Sequence, residues 1–427
     1  MSFSDHAQIR AHLAAIQANI CALESRLAAL HAEERTARVT LDSIVYPVDT
    51  LPTDVLIEIF QHYTGDPMLI ATVCRQWWDA ALCCPRLWPA LPDNPGSNSQ
   101  AFAHLLRARL ARVGFRPLRI DTMLPASVEI LSVFAPYFPQ LLTLKLSVST
   151  PNHIAFPEAP LLKELAITRP GFHTRGEMQI AFPSAPQLMD VCLSEVKSSE
   201  ISLPWSQLTA LRLSGNSLAD GLCMIQLTPN LVTLDISARV IDHPPTIIEL
   251  PHLRSLSMQC IDVLDVPKSP ALENLSIRLF TQRAEPVLRN FAARSGCVIQ
   301  KLHLRSQLGN NAGTLREAEA CTRIFPTLCD FTLSGIPAYP IEWVYFLRDI
   351  ASRSLLPAVH SLTFTDCAIP IVFISNMLAK RAQWEEGKVT SFRYIPAESH
   401  AAQRSIATLE ELRLKGVAID IGWGELD

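Results

Sequence analysis

The stretch "PQLLTLKLS", residues 139–147, decides how most of the chain is read. Leu141, Leu144 and Leu146 are apolar, and Thr143 and Lys145 between them are polar. That alternation fits a short strand with one covered face. The pattern L-x-x-L-x-L, with apolar swaps, returns as "LKELAI" (162–167), "LMDVCL" (188–193), "LTALRL" (208–213), "LVTLDI" (231–236) and "LRSLSM" (253–258). It continues as "LENLSI" (272–277), "IQKLHL" (299–304), "LCDFTL" (328–333), "VHSLTF" (359–364) and "LEELRL" (409–414). In eight of these eleven a proline stands two residues before the first apolar position, from Pro139 to Pro357. Random clustering of leucine does not reproduce that proline, so the pattern is a repeat.

Successive repeats lie 19 to 26 residues apart at first, then 27, 29, 31 and 50. One such unit cannot bury its apolar side alone, and stacking on its neighbours solves the problem. The pattern resembles a degenerate leucine-rich repeat, which implies one strand per repeat in a parallel, curved sheet. It departs from that family where an Asn or Cys belongs three residues after the last leucine, since only Asn216 and Cys367 fill that place. The longer repeats have room for helices, and "IEWVYFLRDIASR" (341–353) and "VFISNMLAKRAQW" (372–384) have helical spacing. The expected fold is therefore α/β, with a leucine-rich-repeat-like solenoid over residues 117–427. Before it, "PDNPGSNSQ" and "FAHLLRARLARVG" read as a linker and a helix within residues 92–116.

The residues alternating with the leucines point to the opposite, open face of the sheet. They are mostly polar, as any face meeting water must be, and solenoids also use such a face to hold partners. Arg212, Arg278, Lys301, His303 and Arg305 are the candidate substrate-binding residues. The last four come from neighbouring repeats and suit an acidic or phosphorylated segment.

Ahead of the array lies "LPTDVLIEIFQHYTGDPMLIATVCRQWWDAALCCPRLW", residues 51–88. Thr53 or Asp54 reads as a helix cap, "GDP" at 65–67 as a break, and Met68–Leu82 as a second helical region. So short a unit cannot bury this many large apolar side chains against itself. Leu51-Pro52, the Ile59-Phe60 helix, "VCRQWWDAA" and "PRLW", with Tyr46-Pro47-Val48 ahead of them, resemble an F-box spanning residues 46–91. The resemblance implies docking on the small adaptor of a cullin–RING ubiquitin ligase. It carries over Leu51, Pro52, Ile59, Phe60, Val73, Trp77 and Leu87 as contact candidates, and leaves Trp78 and Trp88 for packing against the next domain. Joined to the array, it implies a substrate-recognition subunit with a protein target. An F-box scaffold outside any ligase is the alternative.

Residues 5–38 carry Ile9, Leu13, Ile16, Ile20, Leu23, Leu27 and Leu30 at alternating spacings of four and three. This heptad seam predicts a helix that either pairs with a second copy or folds back on its own chain.

The whole chain carries a net charge of -4, which argues against nucleic acid as a partner. No signal peptide and no uninterrupted apolar run of membrane-spanning length are read. Eleven cysteines without a CxxC pair read as reduced thiols, which fits the cytoplasm or nucleus. No phosphate loop, metal spacing or nucleophile motif is present, so neither an enzyme nor a cofactor is expected.

Overall fold

The computed structural model describes residues 3–42, 51–63, 65–88, 99–121, 123–148, 153–170, 179–182, 184–239, 247–279, 284–306, 314–336, 340–383, 388–396, 413 and 417–421. The Tyr46-Pro47-Val48 lead, most of the 92–100 linker and Trp384 lie outside them. The chain is mixed α/β, with eleven α-helices among the described residues and one long parallel sheet. It divides into two compact units, Met1–Trp88 and Pro89–Asp427.

In the first unit the N-terminal helix is continuous from Phe3 to Asp42. Its segment Gln8–Leu41 is long and apolar enough to cross a membrane by length and composition. Polar residues interrupt it, among them Gln17, Asn19 and the run Glu24-Ser25-Arg26. Three short helices follow, Thr53–Gln61, Pro67–Ala71 and Arg75–Leu82, then a 3-10 turn at Pro85–Leu87. The region read as one helix from Met68 to Leu82 is thus two, parted at Cys74, whose backbone is extended. Pro52, not Thr53 or Asp54, takes the N-cap position of the first helix, and no side chain caps it. Asp66 caps the second, accepting from the Met68 N–H at 3.1 Å.

In the second unit, fourteen strands among the described residues form the long sheet. Thirteen succeed one another in chain order: Leu118–Arg119, Leu141–Ser147, Glu164–Thr168, Asp190–Ser194, Ala210–Ser217, Thr233–Arg239, Ser255–Met258, Asn274–Leu279, Lys301–Ser306, Asp330–Ser334, Ser361–Cys367, Ser391–Pro396 and Ala418–Ile421. The fourteenth, Leu124–Pro125, pairs with Leu141–Ser147. Every pairing is parallel, and each of the ten expected strands from 141 to 364 is present.

The proline has a physical role. In six repeats it stands second in a four-residue turn, where its fixed φ is favoured. The N–H of the first apolar residue closes that turn, as in Leu162 to Ala159, Leu188 to Ala185, Leu253 to Leu250, Leu272 to Ser269, Leu328 to Phe325 and Val359 to Leu356, at 3.1 to 3.3 Å. The three apolar positions of each repeat then form three buried rows. One runs Leu144, Leu165, Val191, Leu211, Leu234, Leu256, Leu275, Leu302, Phe331 and Leu362 in strict register.

Return legs cover these rows. Three early ones carry the short parallel strands His153–Ala155, Gln179–Ala181 and Ile201–Ser202. Later ones carry the helices Ala284–Ser295, Thr314–Arg323, Pro340–Ala351 and Ile371–Arg381, of which sequence spacing places only the last two.

The final repeat departs from expectation. Arg413 is helical and the rest of 409–414 lies outside the described residues. The strands after Cys367 begin at Ser391 and Ala418 instead. Val389, Phe392 and Tyr394 take the leucine positions, and the buried Tyr394 hydroxyl donates to the carbonyls of Cys367 and Ile369 at 3.0 Å.

Two residues past the last apolar position the backbone turns left-handed, at Glu195 (φ 59), Gly215 (φ 71), Gly335 (φ 68) and Asp366 (φ 53). A Cβ on Gly335 would meet the Ser306 carbonyl oxygen at 2.5 Å, so glycine is required there. The next residue in two of these turns is Asn216 or Cys367. Buried Asn216 accepts from the Glu195 N–H at 3.1 Å and donates to the Val196 carbonyl. Cys367 reaches the Leu333 carbonyl at 3.6 Å, and burial pushes its thiol up to about 12. Asn216→Ala takes the donor from the Val196 carbonyl and leaves the Glu195 N–H with the Ser214 carbonyl alone, at 2.8 Å. Urea unfolding should show a loss of about 1–3 kcal/mol, and an unchanged midpoint would deny the side chain this role.

Candidate functional site

Two surfaces stand out, one in each unit. In residues 51–88 the apolar positions separate into an interior and an open face. Leu56 and Phe60, one helical turn apart, point inward with Ile70, Ala80, Ala81, Leu87 and Trp88. The Phe60 and Trp77 rings meet at 5.2 Å. The Gln76 amide donates to the Leu51 carbonyl at 2.9 Å, and the Trp88 indole to the Ala81 carbonyl at 2.8 Å. Val55 and Ile59, also one turn apart, point outward, as do Leu69 and Val73. Ile59 is 50% exposed and Val73 60%.

Among the contact candidates, Pro52, Ile59 and Val73 are therefore open to a partner, and Leu51 and Trp77 are half-buried. Phe60 and Leu87 fill the interior behind that face. The helix Thr53–Gln61 is apolar on two sides, and spacing alone does not say which side turns inward. Val55 and Leu69 share the exposed face and are not among the contact candidates.

The open face of the long sheet is ordered by its register. The fifth position of each repeat forms a row through Lys145, Ala166, Cys192, Arg212, Asp235, Ser257, Ser276, His303, Thr332 and Thr363. Toward either end its charges pair. Arg119 meets Glu164 at 3.3 Å, Lys145 meets Asp121 at 3.6 Å, Arg212 meets Asp190 at 2.6 Å and Arg393 meets Asp420 at 3.2 Å. The hydrogen bond to Asp190 is also what raises the Arg212 pKa.

The middle differs. Arg278 and Arg305 stand directly opposite one another on adjacent strands. Like charges so placed repel. Arg278 donates to the Gln259 side chain at 2.9 Å, and Arg305 is exposed with no ion-pair partner among the described residues. Lys301 is in register with Asn274 and Asp330. Beside them a shallow concavity of about 190 Å³ is lined by Asn274, Ser276, Lys301, His303, Asp330 and Thr332.

The structure thus brings Arg278, Lys301, His303 and Arg305 together on two adjacent strands. Arg212 does not join them, because the strands Thr233–Arg239 and Ser255–Met258 intervene and Asp190 holds it. His303 is also corrected. It sits in a hydrogen-bonded line across four strands, with Ser276 Oγ 3.4 Å from Nδ1, Ser334 Oγ 2.9 Å from Nε2, and Thr365 Oγ1 2.6 Å beyond. Burial first, and Arg305 second, hold its pKa below the ordinary 6.5, so at neutral pH it adds a neutral ring and no charge.

Models of known protein families and curated protein sequences contain no match to the chain. Among the described residues no three His, Cys, Asp or Glu side chains come together as a metal-holding group.

Ser334 and Thr365 are not among the sequence candidates because they carry no charge, although they hold the same place, one residue beyond the six-residue pattern, as Arg278 and Arg305. That seventh position is a hydroxyl row through Ser147, Thr168, Ser194, Ser214 and Ser237. Arginine replaces hydroxyl only at Arg278 and Arg305 among these aligned strands, a contrast that becomes visible once the pattern is extended.

A depressed pKa means that the His303 ring binds its proton more readily in the unfolded chain. The stability it contributes is whole above about pH 6.5 and is lost as pH falls through the folded-state pKa below that. The melting temperature should therefore drop further between pH 7 and pH 5 in the wild type than in His303→Gln. Equal drops would assign the pH dependence to other groups.

Proposed function

We propose that the chain is the substrate-recognition subunit of an F-box-type cullin–RING ubiquitin ligase. On this reading residues 51–88 hold the ligase adaptor. The long sheet is a leucine-rich-repeat solenoid whose open face holds a target protein. The observation that carries the reading is the split of the helical unit into a filled interior and an apolar outer face at Val55, Ile59, Leu69 and Val73. Each such side chain, if covered by a partner, contributes about 1.5–3 kcal/mol. A second support is the unbroken strand-by-strand succession from Leu118 to Ile421, the topology of a repeat array.

In this role the protein makes and breaks no bond. It raises the local concentration of target lysines beside a charged ubiquitin carrier. The fit between target and face is electrostatic at Arg278, Lys301 and Arg305, where the positive charges of two adjacent strands gather.

The adaptor contact is tested by Ile59→Asp combined with Val73→Asp. Both side chains are outside the interior, so the melting temperature should hold. Adaptor recovered on co-expression should fall roughly thirtyfold or more, as for the loss of a buried anchor worth about 2 kcal/mol. Recovery at wild-type yield would move the contact elsewhere. Adaptor recovered without any cullin would favour an F-box scaffold working outside a ligase.

The target contact is tested by Arg278→Glu combined with Arg305→Glu, with adaptor recovery as the control. Exposed charges contribute little to folding. Capture of ubiquitinated proteins, read by mass spectrometry, should fall roughly tenfold, and wild-type capture should weaken as salt rises. An unchanged set of captured proteins would take the site off this part of the sheet.

A further inference from the structure

We infer that the helix Phe3–Asp42 is one strand of a two-stranded coiled coil, and that the other strand is the same helix from a second copy of this chain. Ile9, Leu13, Ile16, Ile20, Leu23, Leu27 and Leu30 lie on one continuous helix and hold the heptad spacing without a slip. All seven are between 42% and 67% exposed in the single chain. A seam repeating every 3.5 residues stays in contact only with a helix that repeats at the same period. The seven positions span 22 residues, about 33 Å of helix.

The polar residues mark which face is the seam. On one side of it stand Arg10, Gln17, Glu24 and His31, each one residue after a seam position. On the other stand His12, Asn19, Arg26 and Glu33, each one residue before. These are the two borders of a two-stranded contact, the positions that set partner choice. Most of the outer positions are alanine, at 11, 14, 15, 18, 22, 28, 29 and 32. The segment is apolar enough to cross a membrane. A helix in lipid would be apolar all round, whereas this one keeps polar groups along both borders of a single stripe.

One border pair, just past the seam, suits a second copy as the partner. With two copies side by side in the same direction, Glu33 of each borders Arg38 of the other, five residues on. Glu34 takes the next seam position after Leu30 and ends the seam, held on its own helix by Arg38 at 2.8 Å. On the reading proposed above, which the inference itself does not need, pairing would offer one target two sheet faces and gain avidity.

The test is the mass of the full chain in solution over a range of concentration. The wild type should sediment and scatter as twice 47.3 kDa. Ile16→Asp with Leu23→Asp should give the single-chain mass with unchanged melting of the second unit. Glu34→Leu extends the seam and should lower the dimer dissociation constant about tenfold or more. A wild type that stays monomeric, or forms a trimer or larger assembly, overturns the inference. So does a double mutant that remains dimeric, a Glu34→Leu chain no tighter than wild type, or a wild type that floats with neutral lipid vesicles as a membrane-inserted helix would.

Discussion

One shared acceptor sets the long sheet. The carbonyl of the second residue in each repeat takes two N–H groups from the next. Lys163 accepts from Met189 and Asp190, Met189 from Thr209 and Ala210, and Thr209 from Val232 and Thr233. The series continues through Val232, Arg254, Glu273, Gln300, Cys329 and His360, at 2.8 to 3.1 Å. This contact locks each strand against its predecessor before the regular ladder begins. A slip of one residue would turn every leucine outward. With the register locked, three apolar rows and the polar rows between them extend across repeats that differ greatly in length. Length differences go into the return legs, where a short strand or a helix of up to twelve residues does the same covering work.

A locked register also decides which side chains meet on the open face. Residues 27 apart in the chain, such as Arg278 and Arg305, become direct neighbours. A carboxylate at the corresponding place cancels Arg212, and none stands opposite Arg305. Hydroxyls hold the seventh position from Ser147 to Ser237 and again at Ser334 and Thr365, so the two arginines are a local departure on a neutral line. The His303 line beside them, tied to three hydroxyls, holds that stretch of the face rigid without adding charge.

The strands were legible because the alternation and its proline are one physical unit: the proline makes the turn that delivers the first leucine into the core. Where aromatic or β-branched residues replace leucine, as at Val389, Phe392 and Tyr394, the motif is hidden, although burial treats all three as equivalent. The "LEELRL" match lies outside the described residues except for Arg413, which is helical, and the next strand of the sheet is Ala418–Ile421. The helices Ala284–Ser295 and Thr314–Arg323 are hard to read because each is short and mixed in composition. Their inward faces, Leu288 with Phe291 and Leu315 with Ala318, declare themselves only against the strands they cover. The basic cluster was legible from alternation, but the neutrality of His303 was not, because burial and the nearness of Arg305 are properties of the folded chain.

The same limit explains the helical unit. Its sequence announces more apolar surface than it could hide, and that surplus is real after folding. Leu56 with Phe60 and Val55 with Ile59 are two pairs of identical spacing on one nine-residue helix. Periodicity makes them equal. What separates them is the position of Trp77, whose ring lies against Phe60, and of Ile70, Ala80 and Ala81, which close the interior. With that side filled, Val55, Ile59, Leu69 and Val73 stay exposed on the other. A composition that looks excessive for a fold of this size is then divided by packing into the part that makes the interior and the part that stays exposed.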